Sequence, residues 1–193
     1  AIKGNKLDGN NFINKAIKKG AKVIISEKDI NIKNSNVIFF KTKNARKLLA
    51  ELSFMDLKNK PKSIIAVTGT NGKSSVSDFY FQILSMKNKK VASIGTIGVR
   101  TKNKLKEISN TTLDPIELKN IINQLTQKNI NHIILEASSH GLKQNRLDGL
   151  FFDIGIFTNL SHDHLDYHKN MKSYLNSKLY LFKKLIKQKG NII

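Results

Sequence analysis

Cysteine and tryptophan are absent from the 193 residues, and proline occurs only twice. Without cysteine there can be no disulfide framework, thiolate metal site or cysteine nucleophile, and nothing points to an oxidising compartment. No apolar run approaches the roughly 18 residues that a membrane helix needs, and the opening Ala1–Asn11 stretch lacks the apolar segment of a secretory signal. The expectation is a cytoplasmic protein with no membrane insertion. Arginine is nearly missing too: the 34 basic residues are 31 Lys and three Arg (Arg46, Arg100, Arg146), against 14 acidic side chains.

The resulting formal charge of +20 invites a nucleic-acid reading, because a basic face attracts phosphate backbone. Arginine, which reads phosphates and base edges bidentately, is the residue in short supply. The lysines come with 22 Asn and 25 Ile spread over every segment, the composition of A/T-rich codons. This reads as a solvated lysine surface and not as a nucleic-acid face, with some attraction to small anions remaining. An apolar fraction of 39% is enough for a proper core and excludes wholesale disorder.

Two parts can be told apart. Residues 21–26 and 37–40 read as short strands separated by polar stretches, and Asn44 caps a helix with Ala45, Leu48, Leu49, Leu52 and Met55 at helical spacing. Lys58-Asn-Lys-Pro61 reads as the boundary. From there strands and helices alternate: strands at 63–68, 91–95, 132–137 and 153–158, and helices at about 74–87 and 170–189. A further helix starts at Asp114, with Asp at the N-cap, Pro115 first in the helix, and Ile116, Ile121, Ile122 and Leu125 as its buried stripe. Asn191-Ile-Ile193 reads as the opening of another strand. The pattern predicts an α/β fold: a central domain with a mostly parallel, doubly wound sheet, preceded by part of a small α/β domain. Ligands of such sheets bind at the carboxyl ends of the strands.

Three clusters fall at those ends. Val67-Thr-Gly-Thr-Asn-Gly-Lys-Ser-Ser75 lies between a strand and a helix. Its glycines let backbone N–H groups cradle phosphate, Lys73 neutralises charge and the Ser74 hydroxyl can hold Mg²⁺; the strict P-loop pattern would have Gly where Val67 stands. Glu136 ends a strand level with that loop, placed either to take a Mg²⁺ that bridges phosphates or simply to face water. Thr158 to His168 holds three of the five His. With no Cys for a structural zinc site, one imidazole as a Mg²⁺ ligand is the better reading, and His162 and His168 read as loop-fixing.

Taken together, Gly69-Thr-Asn-Gly-Lys-Ser74, Asn110-Thr-Thr112, Glu136-Ala-Ser-Ser-His-Gly-Leu142 with Gln144 and Arg146, and Asp163-His-Leu-Asp-Tyr-His168 followed by Lys178 resemble the Mur ligases, and within them the MurE type. The resemblance covers essentially the whole chain. It implies residues 1–60 as the rear part of a UDP-substrate-binding N-terminal domain and 61–193 as an incomplete ATP-binding central domain. The family's C-terminal, amino-acid-binding domain is not in the sequence. The resemblance implies ATP on Gly69, Thr70, Asn71, Gly72, Lys73, Ser74 and Ser75, and Mg²⁺ at Ser74, Glu136, His164 and Lys178. Lys73, Glu136, His164 and Lys178 would be catalytic, and Asn110, Thr111, Thr112, Ser138, Gln144 and Arg146 would hold a UDP-N-acetylmuramoyl dipeptide.

Lys178 would be the family's carbamylated lysine, since a desolvated amine is more readily neutral and so able to capture CO₂. Outside the resemblance it reads as a surface residue on a lysine-rich helix. The implied activity is ATP-dependent amide ligation of meso-diaminopimelate or L-lysine through an acyl phosphate, in peptidoglycan synthesis, by a monomer whose fragment alone is expected to be inactive. A folylpolyglutamate synthetase-like ligase and a non-catalytic nucleotide-binding module stay as alternatives.

Overall fold

The computed structural model describes residues 1–4, 7–30 and 36–193, and the chain divides into two compact units, Ala1–Leu49 and Ala50–Ile193.

In the first unit, a short 3₁₀ turn at Gly9–Phe12 leads into helix α1 (Ile13–Lys18), and strands β1 (Val23–Ser26) and β2 (Ile38–Lys41) pair in parallel. Helix α2 (Ala45–Met55) follows, and Asn44 Oδ1 accepts from Lys47 N–H at its start as the sequence predicts. Ala45 is buried as expected, but Leu52 and Met55 are exposed, and Ala50 and Phe54 are buried in their place. The helical period is right and its phase differs from the expected one. The division between the units falls inside α2, ahead of the Lys58–Pro61 stretch.

The second unit is built on a seven-stranded sheet. Its elements run β3 (Ser63–Thr68), α3 (Lys73–Met86), β4 (Val91–Gly95), β5 (Gly98–Thr101), β6 (Lys104–Lys106), α4 (Pro115–Gln127), β7 (His132–Glu136), α5 (Ser139–Lys143), β8 (Phe152–Phe157), α6 (Leu165–His168), α7 (Met171–Tyr180) and β9 (Ile186–Ile192). The spatial order is β6-β5-β4-β7-β3-β8-β9, with β4, β7, β3, β8 and β9 parallel and the β5–β6 hairpin antiparallel at one edge. The doubly wound sheet is thus confirmed; the edge hairpin is an addition that the sequence pattern did not signal.

Strand β3 is buried on both faces, which is why it reads as a continuous apolar run. Ile64 and Ala66 join Leu118, Ile122, Leu142 and Leu147 in the larger core. Ile65 and Val67 point the other way, into a smaller cluster with Val76 and Tyr80 of α3. Asp114 caps α4 by accepting from Ile116 N–H, with Pro115 at the first position. Leu118 is buried there, and Ile116, expected in the buried stripe, is half exposed.

The largest departure from the sequence reading is at the end of the chain. The helix predicted to reach Lys189 stops at Tyr180, passes through a wider π turn at Leu181–Leu185, and becomes strand β9 along β8. Gly155 of β8 makes this possible: a Cβ there would stand 2.7 Å from Ile186 Cδ1 and 2.9 Å from Phe182 Cε1. The gap left by its missing side chain admits both residues, and Lys187 pairs with Asp153 across 2.5 Å. Packing against the sheet edge overrides local helix propensity. Asn191 and Ile192 do pair with β8, after a register shift that accommodates Lys187–Gly190.

Candidate active site

Sheet register aligns the chemistry. Val67 of β3 lies opposite Glu136 of β7 and Ile156 of β8, so the loop after β3, the carboxylate ending β7 and the segment after β8 emerge side by side. Gly69 and Gly72 have φ of +152° and +82°, values that L side chains rarely adopt. At Gly69 a Cβ would also collide with Thr158 Oγ1.

The loop is laced to the segment after β8. Asn71 N–H donates to Asn159 Oδ1 (3.0 Å), Thr70 N–H donates to the Asn159 carbonyl (3.0 Å), and the Thr158 hydroxyl donates to the Asn71 carbonyl (2.6 Å). Lys73 Nζ donates to the Gly69 and Thr70 carbonyls at 2.9 and 2.8 Å. Burial lowers the Lys73 pKa, opposed by Glu136 and Asp163. Helix α3 starts at Lys73, so its free N–H groups and positive dipole end open onto the loop, a geometry suited to phosphate.

Glu136 is 2% exposed. Its Oε2 accepts from the Ser74 hydroxyl (3.1 Å) and the Thr96 hydroxyl (2.9 Å), and its Oε1 from Thr96 N–H (3.1 Å). Gly95 lies against the carboxylate, where any Cβ would collide. Thr96 was not singled out from the sequence; a polar residue directly after a strand-ending glycine was the available signal. Its hydroxyl stands 3.1 Å from Thr111 Oγ1, linking the carboxylate to the Asn110–Thr112 segment.

The substrate residues implied by the resemblance form one connected group. Thr112, 3% exposed, donates to the Glu136 carbonyl (2.9 Å), accepts from Ser138 N–H (2.9 Å) and lies 3.0 Å from Ser138 Oγ. Arg146 donates to the Thr112 carbonyl (2.6 Å) and through two nitrogens to Gln144 Oε1 (3.0 and 2.8 Å), while Gln144 Nε2 donates to Tyr167 (3.1 Å). Thr112 thus spends its hydroxyl on the scaffold. Thr111, Ser138, Gln144 and Arg146 are half-buried. Asn110 is exposed, its amide donating to Ser109 Oγ, and Ser75 is exposed on α3.

Of the two histidines read as loop-fixing, His168 is held by hydrogen bonds and the His162 ring has none among the described residues. His168 is fully buried, between Ser139 Oγ (3.0 Å from Nε2) and Ser177 Oγ (3.2 Å from Nδ1). Since the Ser177 hydroxyl donates to the Ser173 carbonyl at 2.8 Å, its oxygen accepts from Nδ1–H, leaving Nε2 to accept from Ser139. Burial and the nearby Lys143 push the His168 pKa down to about 4. His162 is exposed. His164, in a left-handed conformation (φ +51°), stacks edge-on to His140 (4.9 Å) and faces the Tyr174 ring at 6.3 Å.

Lys178 is the main surprise in burial: it is 1% exposed, not at the surface. Nζ lies 4.3 Å from the centre of the Tyr174 ring, with no hydrogen bond or ion pair among the described residues. Desolvation first, and then repulsion from Lys73, bring its pKa down to about 7. Tyr174, also unremarked in the sequence, reaches Thr70 Oγ1 at 3.1 Å.

Among the described residues no three His, Asp or Glu side chains cluster closely enough to hold a metal by themselves. Ser74 and Glu136 do offer hard oxygen donors beside the phosphate loop, which fits a Mg²⁺ that takes its remaining ligands from phosphate and water.

A strand–loop–helix phosphate cradle with a carboxylate on the neighbouring strand defines a P-loop nucleotide-binding α/β protein. The family model for the Mur ligase middle domain matches residues 67–193, and that described as Mur ligase family, catalytic domain, matches 1–55. The chain belongs to the Mur ligase family. The UDP-N-acetylmuramoyl-L-alanyl-D-glutamate--2,6-diaminopimelate ligase of Rickettsia conorii is 44% identical over 186 residues, covering 94% of this chain and 38% of that protein. The ligase of the same name from Wigglesworthia glossinidia brevipalpis is 41% identical over 193 residues, 96% of this chain and 39% of that protein. A solved structure of a ligase of this name superposes with a TM-score of 0.79 at 34% identity, over 92% of this chain and 36% of that one. The chain spans about 38% of the length of the curated relatives.

Proposed function

We propose that this chain supplies the phosphate-activating half of an ATP-dependent ligase that joins a diamino acid to UDP-N-acetylmuramoyl-L-alanyl-D-glutamate, in the MurE manner. The relatives' shared name supports 2,6-diaminopimelate as the amino acid. The observation that carries the reading is the link from Ser74 to Glu136 beside Lys73: a hydroxyl, a carboxylate and an ammonium converge where the phosphates of ATP meet the start of α3.

In this reading, residues 1–60 belong to the substrate-binding N-terminal domain and 61–193 to the ATP-binding domain. Backbone N–H groups of residues 72–74 bind the phosphates, and Lys73 leaves the Gly69 and Thr70 carbonyls to meet the γ-phosphoryl. Ser74 and Glu136, with His164 and a carbamylated Lys178 further along the cleft, would hold Mg²⁺, which neutralises charge on the phosphates when bound. Arg146, Gln144, Ser138 and Thr111 orient the muramoyl peptide so that its terminal carboxylate attacks the γ-phosphorus. ADP leaves, an acyl phosphate forms, and the amine of the incoming amino acid displaces orthophosphate to make the amide. The protein's share is positioning and charge stabilisation.

The test is ligation by the full-length protein, with UDP-muramoyl dipeptide and a folate substrate offered in parallel. Lys73→Ala and Glu136→Ala should each abolish ADP release that depends on the muramoyl substrate. Near-normal turnover in either variant, or turnover with folate alone, overturns the reading.

A further inference from the structure

At the opposite end of the sheet from the phosphate loop lies a concavity of about 620 Å³. Helix α3 runs between the two, and its 14 residues separate them by about 20 Å. Three elements converge on the concavity: the turn after α3, the tip of the β5–β6 hairpin and the end of α4. Five of its eleven lining residues are lysine (Lys89, Lys90, Lys102, Lys104 and Lys128), and none is acidic.

None of the five ammonium groups makes an ion pair or hydrogen bond among the described residues. Lys89, Lys90 and Lys128 follow helix C-termini, where the dipole favours a cation; Lys102 and Lys104 come from a hairpin and have no such reason to be there. Val91 and Ile130 supply apolar wall, and a side pocket of about 110 Å³ lined by Val99, Ile121 and Leu125 opens beside it, sharing Lys104 and Lys128.

We propose that this concavity is a second ligand site, taking a small molecule that carries two or more phosphate groups beside an apolar or aromatic part. The lysines would bind the phosphates, and the side pocket would take the apolar part. Its basic side chains are all lysine, which favours a small molecule over a nucleic acid, whose readers rely on arginine. The site does not depend on the ligase reading.

The experiment is an amide-resolved NMR titration of the 193-residue chain with inorganic pyrophosphate and then with ADP. Expected are saturating shifts at Ser85, Thr101, Asn103 and Ile130, with ADP the tighter of the two. In a Lys102→Glu/Lys104→Glu variant, and separately in Lys128→Glu, this response should weaken about tenfold while the shifts at residues 69–74 persist and report an intact fold. Shifts confined to residues 69–74, shifts that never saturate and merely follow ionic strength, or a response unchanged in both variants would overturn the proposal. So would a stronger response to a single-stranded oligonucleotide, spread over lysines of other elements.

Discussion

The Tyr174 hydroxyl stands 3.1 Å from Thr70 Oγ1, and the same ring lies under Lys178 Nζ at 4.3 Å. One side chain therefore couples the phosphate loop to the buried lysine. Tyr174→Phe keeps the ring and removes the hydroxyl. Thr70 retains its bond from Ser161 N–H, so the expected cost is about 1 kcal/mol. Urea denaturation would show this, and the loop amides should exchange faster with solvent.

Gly95 leaves the space that the Glu136 carboxylate fills. Gly95→Ala forces the carboxylate off Thr96 and Ser74 or strains β4, at a cost of about 1–3 kcal/mol. The expected result is a lower melting temperature together with weaker Mg²⁺-dependent binding of ADP by calorimetry. A neutral outcome on both would mean that the carboxylate is not held as described.

His168 titrates at about 4 in the folded chain, against about 6.5 unfolded. Between those values the unfolded chain binds a proton that the folded chain does not. Stability from this group is therefore complete above pH 6.5 and falls as pH drops toward 4, by up to about 1.4 kcal/mol per unit. His168→Asn should flatten the stability–pH curve in that window while destabilising the fold at pH 7, because Ser139 and Ser177 lose their partner.

Lys178 titrates at about 7 in the folded chain, so from the ordinary lysine value down to 7 the unfolded chain again holds the extra proton. Stability rises with pH across that window. Lys178→Met should remove this slope, seen as a smaller difference in urea midpoint between pH 7 and pH 10. In ¹³C-bicarbonate near pH 8 the wild-type chain should show a carbamate carbon signal that Lys178→Ala lacks.

The sequence made the phosphate loop, the parallel sheet and the Asp114–Pro115 helix start legible because each is set by local chemistry: glycine dihedrals, β-branched runs and capping. It misplaced what depends on distant packing. The run after Tyr180 reads as helix until Gly155 offers a gap on the neighbouring strand. Thr96 and Tyr174 were invisible for the same reason, since only the fold brings them to Glu136 and Thr70. The His168 assignment held because a histidine amid serines needs only two hydroxyl neighbours to be fixed.

Lys73 donates to the Gly69 and Thr70 carbonyls, so its ammonium is already solvated by the loop's own backbone. An arriving anion has to outbid two carbonyl dipoles for the ammonium. A singly charged anion such as chloride, with no oxygens to spread over the loop's N–H groups, gains little from that exchange, whereas a polyphosphate offsets it at several points together. The two carbonyl bonds of Lys73 therefore set a threshold that a polyphosphate passes more readily than a simple anion.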